Sequence, residues 1–365
     1  MFLIVTRNFP PDIGGIQMLM SGLSMSLSDH GPVKVFAYDY PNSNIFDSKS
    51  PASIERIKGI KLFRKYRKAN LVNNFIKTNS NIKALFADHW KSLELIKTEH
   101  LKKTKSLCLL HSKEINHEIG TSLNKRLIKS TNKADFIIAN SNFTKESAIK
   151  VGINPSKIHV IFPGIQIPKK VENTSKIKAE NFFGKSFPKI ITVARLDKRK
   201  GHDNILMLIK NLKVKFPKIK YVSVGAGKEE NNLIKLSKEL SLDKEVIFLK
   251  NIDYDLKIAL IAAANLFLMP SRVEKKSVEG FGISFIEAAS YGVASIGGMD
   301  GGASDAITHK KTGLICNGKD LNLIYDSVID FFKNDQFINY GKEAKKFSEN
   351  FHWNAVIKNY LKLIN

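Results

Sequence analysis

The chain has 365 residues, 43% apolar and 25% charged, and its 58 Lys and Arg against 34 Asp and Glu give a net charge of +24. This length favours two domains, and the composition is that of a folded globular protein, which excludes a disordered, collagenous or small disulfide-stapled chain. Cys108 and Cys316 lie far apart without a paired spacing, so a zinc ribbon or disulfide framework is excluded and a reducing cytosol fits.

In chain order, residues 2–6 form a short apolar run, too short for the core of a signal peptide and with no basic region before it. It reads as a buried strand, as do residues 33–37, 84–87, 106–110 and 136–139. Helix-length segments such as 18–28 and 123–131 lie between them, and this βαβα order predicts a doubly wound parallel sheet. Residues 168–188 are rich in Lys, Asn and Pro and read as a linker with a flexible start to a second unit. A second strand series follows at 190–194, 221–224, 246–249, 266–269 and 294–296, with helices at 204–213, 229–240, 255–264 and 283–291. The tail 335–365 has a helical pattern. Two Rossmann-like domains are expected, 1–170 completed by a helix at about 350–365, and 171–349, with a cleft between them. The most apolar stretch, 258–270, is interrupted by Asn265 and is well short of the ~20 residues that span a bilayer.

The charge is uneven: residues 54–105 carry 14 basic and 4 acidic side chains. Arg56, Lys58, Lys61, Arg64, Lys65, Arg67 and Lys68 interleave there with Ile60, Leu62, Phe63 and Tyr66. The pattern is that of a segment resting on an anionic membrane, and equally of a solvated face in a lysine-rich chain.

Three segments could carry chemistry. Gly14-Gly15 follows the first strand and precedes a helix, where paired glycines allow a backbone to approach a ligand closely. Residues 194–201, with Arg195, Lys198, Arg199 and Lys200, end the first strand of the second series, where open α/β sheets bind ligands. Residues 279–289 place Glu279 before a helix, Gly280 and Gly282 around Phe281 at its start, and Glu287 inside it. Amides at that start suit phosphates, and carboxylates suit hydroxyls, a combination that fits a nucleotide sugar. Asp253-Tyr254-Asp255 is formally a DxD pattern, but its place after a strand and before a helix makes Asp255 a helix N-cap. The nine histidines show no HExxH or similar spacing, so no zinc site is expected.

Taken in order, these segments resemble family 4 retaining glycosyltransferases of the GT-B fold. His111-Ser112-Lys113-Glu114, Asn140 to Thr144, Phe162-Pro163-Gly164-Ile165, Gly225-Ala226-Gly227, Gly301 to Asp305, Thr312-Gly313-Leu314 and Phe351-His352-Trp353 extend the likeness over nearly the whole chain. The resemblance implies a GT-B fold in which the C-terminal helix crosses back to the first domain. It implies that Arg195 and Lys200 hold the donor's pyrophosphate without a metal or other cofactor, and that Glu279 meets the transferred sugar and Glu287 the ribose. Phe281, Gly282 and Ile283 would supply amides, Gly14 and Gly15 would reach the same phosphate from the first domain, and His111 would lie near the sugar's outer hydroxyls. Asn251 and Ile252 would border the base. The implied reaction is transfer of a hexose, with retention, from a nucleoside-diphosphate sugar to a lipid-linked or surface-glycan acceptor at the cytoplasmic membrane face. The resemblance to the lipid mannosyltransferase branch favours GDP-mannose, with UDP-hexoses next. A sugar phosphorylase or sucrose-type synthase shares the scaffold. A nucleic-acid-binding role is permitted by the charge, but RNP-like strands, zinc fingers and a helix-turn-helix signature are absent.

Overall fold

A computed structural model describes all of residues 1–365, which divide into two compact units: Met1–Gln166 with Phe351–Asn365, and Ile167–Asn350. Unit 1 holds a seven-stranded sheet: β1 (Phe2–Val5), β2 (Val33–Tyr38), β3 (Ser53–Ile57), β4 (Ala84–Ala87), β5 (Lys105–Leu110), β6 (Phe136–Ala139) and β7 (Ile158–Val160). Their order is β3-β2-β1-β4-β5-β6-β7 and every pairing is parallel. β1 and β4 are buried at every residue, which is why they read as unbroken apolar runs. β3 and β7 escaped sequence reading. β3 is an edge strand, SIERI, with only Ile57 buried, and β7 is three residues long.

Unit 2 holds β8 (Lys189–Val193), β9 (Lys220–Val224), β10 (Val246–Leu249), β11 (Leu266–Met269), β12 (Ser295–Gly298) and β13 (Gly313–Cys316), in the order β10-β9-β8-β11-β12-β13. In both sheets the order reverses beside the first strand, a doubly wound topology that opens a ligand position at the carboxyl ends of the strands flanking the reversal. Residues 168–188 are not a plain linker, since they contain the helix Asn173–Phe183, with Ser175, Ala179 and Phe183 buried on one face. Its apolar face is too narrow to stand out in a Lys- and Asn-rich sequence.

The last helix, Trp353–Ile364, is part of unit 1, where Trp353, Val356, Ile357, Tyr360 and Ile364 join the core beneath β1 and β2. Two glycines make room for it: a Cβ on Gly22 or on Gly164 would lie 2.1 Å or 2.5 Å from the Trp353 ring. Ile165 N donates to Phe351 O (2.8 Å) and Trp353 N to Ile165 O (3.1 Å), so the Pro163-Gly164-Ile165 segment is the seat of this helix. No helix is long and apolar enough to cross a membrane.

Candidate functional site

In unit 2 the segment after β8 carries four cations that point different ways. Its backbone is held against the segment after β9: Ala194 N donates to Val224 O (3.0 Å) and Leu196 N to Ala226 O (3.1 Å). The approach requires glycine, because a Cβ on Gly225 would stand 2.0 Å from Ala194 O and one on Gly227 2.4 Å from Leu196 O. Arg195 then projects outward, its side chain 67% exposed and 3.4 Å from Asp197. Lys198–Lys200 form one 3-10 turn, ended by Gly201 at φ 78°, which turns Lys200 inward.

Lys200 and Arg199 converge on one carboxylate. Arg199 Nη1 lies 2.8 Å from Glu279 Oε2, and Lys200 Nζ bonds the same oxygen and lies 3.5 Å from Met269 Sδ at the end of β11. All three side chains are close to buried. Desolvation alone would raise the Glu279 carboxyl, but the two cations overcome it and hold it down at about 2, so it is ionised. Burial pulls the Lys200 ammonium below its ordinary value, opposed by Glu279. Both cations take Oε2, which leaves Oε1 outside the pair. The Glu279 carbonyl is fixed too, accepting from Gly302 N (2.9 Å), and Gly301 at φ 92° lets that loop come so close that a Cβ there would be 2.3 Å from Glu279 O. Arg272 ties the rim together: its amide donates to Arg199 O (2.9 Å) and its guanidinium forks onto Asp203 at 2.9 and 2.6 Å.

Gly282, at φ 92°, starts the helix Ile283–Ser290; the Phe285 amide donates to Gly282 O (2.9 Å), which leaves the Ile283 and Ser284 amides without a carbonyl one turn earlier. The Phe281 ring is buried, so any contact it offers a ligand is through its backbone. Glu287, one turn into the helix, pairs with Lys257 at 3.1 Å, and Lys257 also lies over the Tyr254 ring. Asn251 sits exposed at φ 52° after β10, beside half-buried Ile252, and neighbouring Lys250 pairs with Glu230 at 2.6 Å. The structure thus joins Lys200 to Glu279, adds Arg199, and leaves Arg195 and Glu287 as separate groups. Arg199 was hidden in a basic run whose inward and outward members only the turn decides. The cap of the helix Tyr254–Ala263 is Asp253, whose carboxylate accepts from Leu256 N, and not Asp255, which lies in the first turn.

In unit 1, Gly14 caps the helix Gly15–Ser28, and Gln17 Nε2 donates to Asp12 Oδ2 at 2.5 Å across that loop. His111 follows β5. Its Nε2 lies 2.8 Å from the Asp88 carbonyl, which can only accept, so Nε2 carries a proton and in a neutral ring Nδ1 is the acceptor. Glu114 accepts from the His111 amide, and Ser112 between them holds φ 83°, an unusual angle for serine.

The basic stretch needs correction at two residues. Arg56 is not exposed: in β3 it pairs with Asp47 (2.6–3.2 Å) and donates to Tyr38 O and Pro10 O. Lys68 is buried in the helix Arg64–Thr78, bonding Thr6 O (3.0 Å) and Ser92 Oγ (3.1 Å), and burial pulls it down to about 8. Arg64 and Arg67 are half-buried, donating to Gly59, Lys58 and Ile60 carbonyls. Lys58, Lys61 and Lys65 remain exposed, with Ile60, Leu62 (73%), Phe63 and Tyr66 exposed among them.

Comparison with known proteins matches the model "Glycosyl transferases group 1" over residues 173–351 and "Glycosyltransferase Family 4" over residues 13–167. The chain is 25% identical over 344 residues to the GDP-mannose-dependent alpha-(1-6)-phosphatidylinositol monomannoside mannosyltransferase of Mycolicibacterium smegmatis, covering 90% of this chain and 88% of that one. It is 26% identical over 338 residues to the corresponding monoacylated-acceptor enzyme of Corynebacterium glutamicum, covering 90% and 87%. Among solved structures, Anabaena HepE in complex with UDP superposes with a TM-score of 0.83 at 17% identity, covering 99% of this chain and 98% of that one. Sucrose-phosphate synthase of Thermosynechococcus elongatus gives 0.81 at 19% identity, covering 99% and 97%.

Proposed function

The chain belongs to glycosyltransferase family 4, and on that footing we propose that it transfers a hexose, with retention and without a metal, from a nucleoside-diphosphate sugar to a lipid-linked or surface-glycan hydroxyl. The observation that carries the reading is the meeting of Lys200 and Arg199 on Glu279 immediately before the N-terminus of the helix Ile283–Ser290. Two fixed cations and a helix start offset the charge that grows on a departing diphosphate. Glu279 Oε1 accepts from sugar hydroxyls, and in unit 1 Nδ1 of a neutral His111 is an acceptor for a substrate hydroxyl. No carboxylate stands as an obvious nucleophile, so the acceptor hydroxyl arrives on the face the diphosphate leaves, and a leaving phosphate oxygen takes its proton. The protein then contributes positioning and charge stabilisation.

GDP-mannose is the proposed donor, supported by the two mannosyltransferase relatives. The acceptor is proposed to be membrane-borne. The exposed Ile60, Leu62, Phe63 and Tyr66, set among Lys58, Lys61 and Lys65, suit a peripheral contact with anionic lipid. The test is incubation with labelled GDP-mannose, UDP-glucose, UDP-galactose or UDP-N-acetylglucosamine and phosphatidylinositol vesicles, in EDTA. Label in the lipid from one donor, with the α configuration kept, is the expected result; an absolute need for added metal, or label from none, would contradict the reading.

A further inference from the structure

Unit 1 contains a cationic cluster that the donor chemistry does not use. It sits at the reversal of the sheet, where Thr6 and Arg7 follow β1 and Asp88 and His89 follow β4. Asp88 is buried and its carboxylate is fully engaged: Oδ2 accepts from Thr6 Oγ1 and Arg7 N, both at 3.0 Å, and Oδ1 from Ser92 Oγ at 2.6 Å. Lys68 is engaged as well. The Arg7 side chain is not. It makes no hydrogen bond or ion pair, and its Nε is shut away from solvent without a partner. A buried donor left unmet costs about 1–3 kcal/mol, and more for a charged group.

The surroundings fit an anion. The Arg7 amide bonds Asp88, whose other partners, Thr6 and Ser92, also hold Lys68, so Arg7 stands beside that pair, and its charge bears on His89, Lys91 and Tyr38 as well. Arg64 and Lys68 face the Tyr38 ring at 5.8 and 4.7 Å. Glu94 is taken by Arg126 at 2.6 and 3.0 Å and Glu114 accepts from the His111 amide, so Asp88 is the carboxylate that faces Arg7 and Lys68. Nδ1 of His89 accepts from Lys91 N (2.9 Å), so a neutral ring carries its proton on Nε2, as a donor. A planar fork with unused donors beside an imidazole N–H is the equipment for a tetrahedral oxyanion.

We propose that Arg7 anchors a phosphate subsite in unit 1, which selects acceptors bearing a phosphate ester near the hydroxyl to be glycosylated. The assignment to the acceptor rests on the glycosyltransferase reading; the anion site does not. Equilibrium dialysis of the full chain with radiolabelled glycerol 3-phosphate, and separately with glycerol, tests it. Glycerol 3-phosphate is retained and glycerol is not. Arg7→Gln weakens retention at least tenfold, and Arg7→Lys, which keeps the charge but not the fork, weakens it several-fold. Lys218→Gln, an exposed cation of unit 2, serves as the charge control and changes nothing. No retention by the unaltered chain, equal retention by Arg7→Gln, or an equal loss in Lys218→Gln overturns the subsite. Competition by glycerol 3-phosphate for binding to phosphatidylinositol vesicles assigns the phosphate to a lipid headgroup, and its absence assigns it to a free ester. Nucleotide binding followed in the same variants separates the two claims. Phosphate binding without nucleotide binding removes the transferase reading only, and the converse removes the subsite only.

Discussion

Glu279 is asked to be two things, the partner of two buried cations and a ligand for sugar hydroxyls, and single substitutions separate these roles. Glu279→Gln keeps the shape and a hydrogen-bonding oxygen, and is expected to lower kcat by about 10²–10³ with nucleotide affinity little changed. Glu279→Ala also strands Lys200 and Arg199 without their counter-charge, and is expected to destabilise unit 2 by about 3–5 kcal/mol, measured by denaturant unfolding. Arg195→Ala is the contrasting case. That side chain is exposed and nearly unpaired, so stability should stay within about 0.5 kcal/mol while nucleotide affinity and turnover both fall. Wild-type titration in Arg195→Ala would remove it from the site. That Lys200 and Glu279 belong together was legible because their order along the chain matches a family pattern. The Arg199 contact was not, because which cation of a run turns inward depends on one 3-10 turn and a left-handed glycine.

Among the elements, the loops that carry the site lean on glycines whose neighbours are backbone atoms. Gly301 is the sharpest case, with φ at 92° and the Glu279 carbonyl 2.3 Å from where a Cβ would sit. Gly301→Ala must move that loop, and is expected to cost more than about 1 kcal/mol and to reduce activity by displacing Glu279, visible as a lower Tm together with a lower kcat. The segment Ile60–Tyr66 presents the opposite situation, apolar side chains left exposed. Leu62→Glu with Phe63→Glu is expected to abolish sedimentation with anionic vesicles while leaving the melting temperature unchanged; undiminished sedimentation would return the patch to a solvated face. Elements with continuous apolar character, such as β1, β4 and β11, were readable from the sequence. The edge strand β3, three-residue β7, glycine-started β13 and the helix Asn173–Phe183 were not, because pairing and packing stabilise them more than their own pattern does.

At the scale of the molecule, each unit buries a histidine that folding keeps neutral. Burial lowers His89 to about 2, with Arg7 acting in the same direction, and lowers His202, bonded to Tyr221, to about 4. The unfolded chain therefore binds protons on these rings below about pH 6.5 that the folded units do not. Stability is fully present above that pH and falls as pH drops towards the folded values, by up to about 1.4 kcal/mol per pH unit for each ring. Denaturant titrations between pH 7 and 4 should show both units losing stability, and a flat profile would contradict the burial of these rings.

A donor site in unit 2 is expected to need Lys200. Calorimetric titration of the chain with GDP, UDP, ADP and TDP in EDTA, repeated on Lys200→Ala, tests it most directly. One nucleotide is expected to bind clearly ahead of the others, and Lys200→Ala to weaken it at least tenfold. Binding of none, or equal binding by a folded Lys200→Ala, would contradict the account.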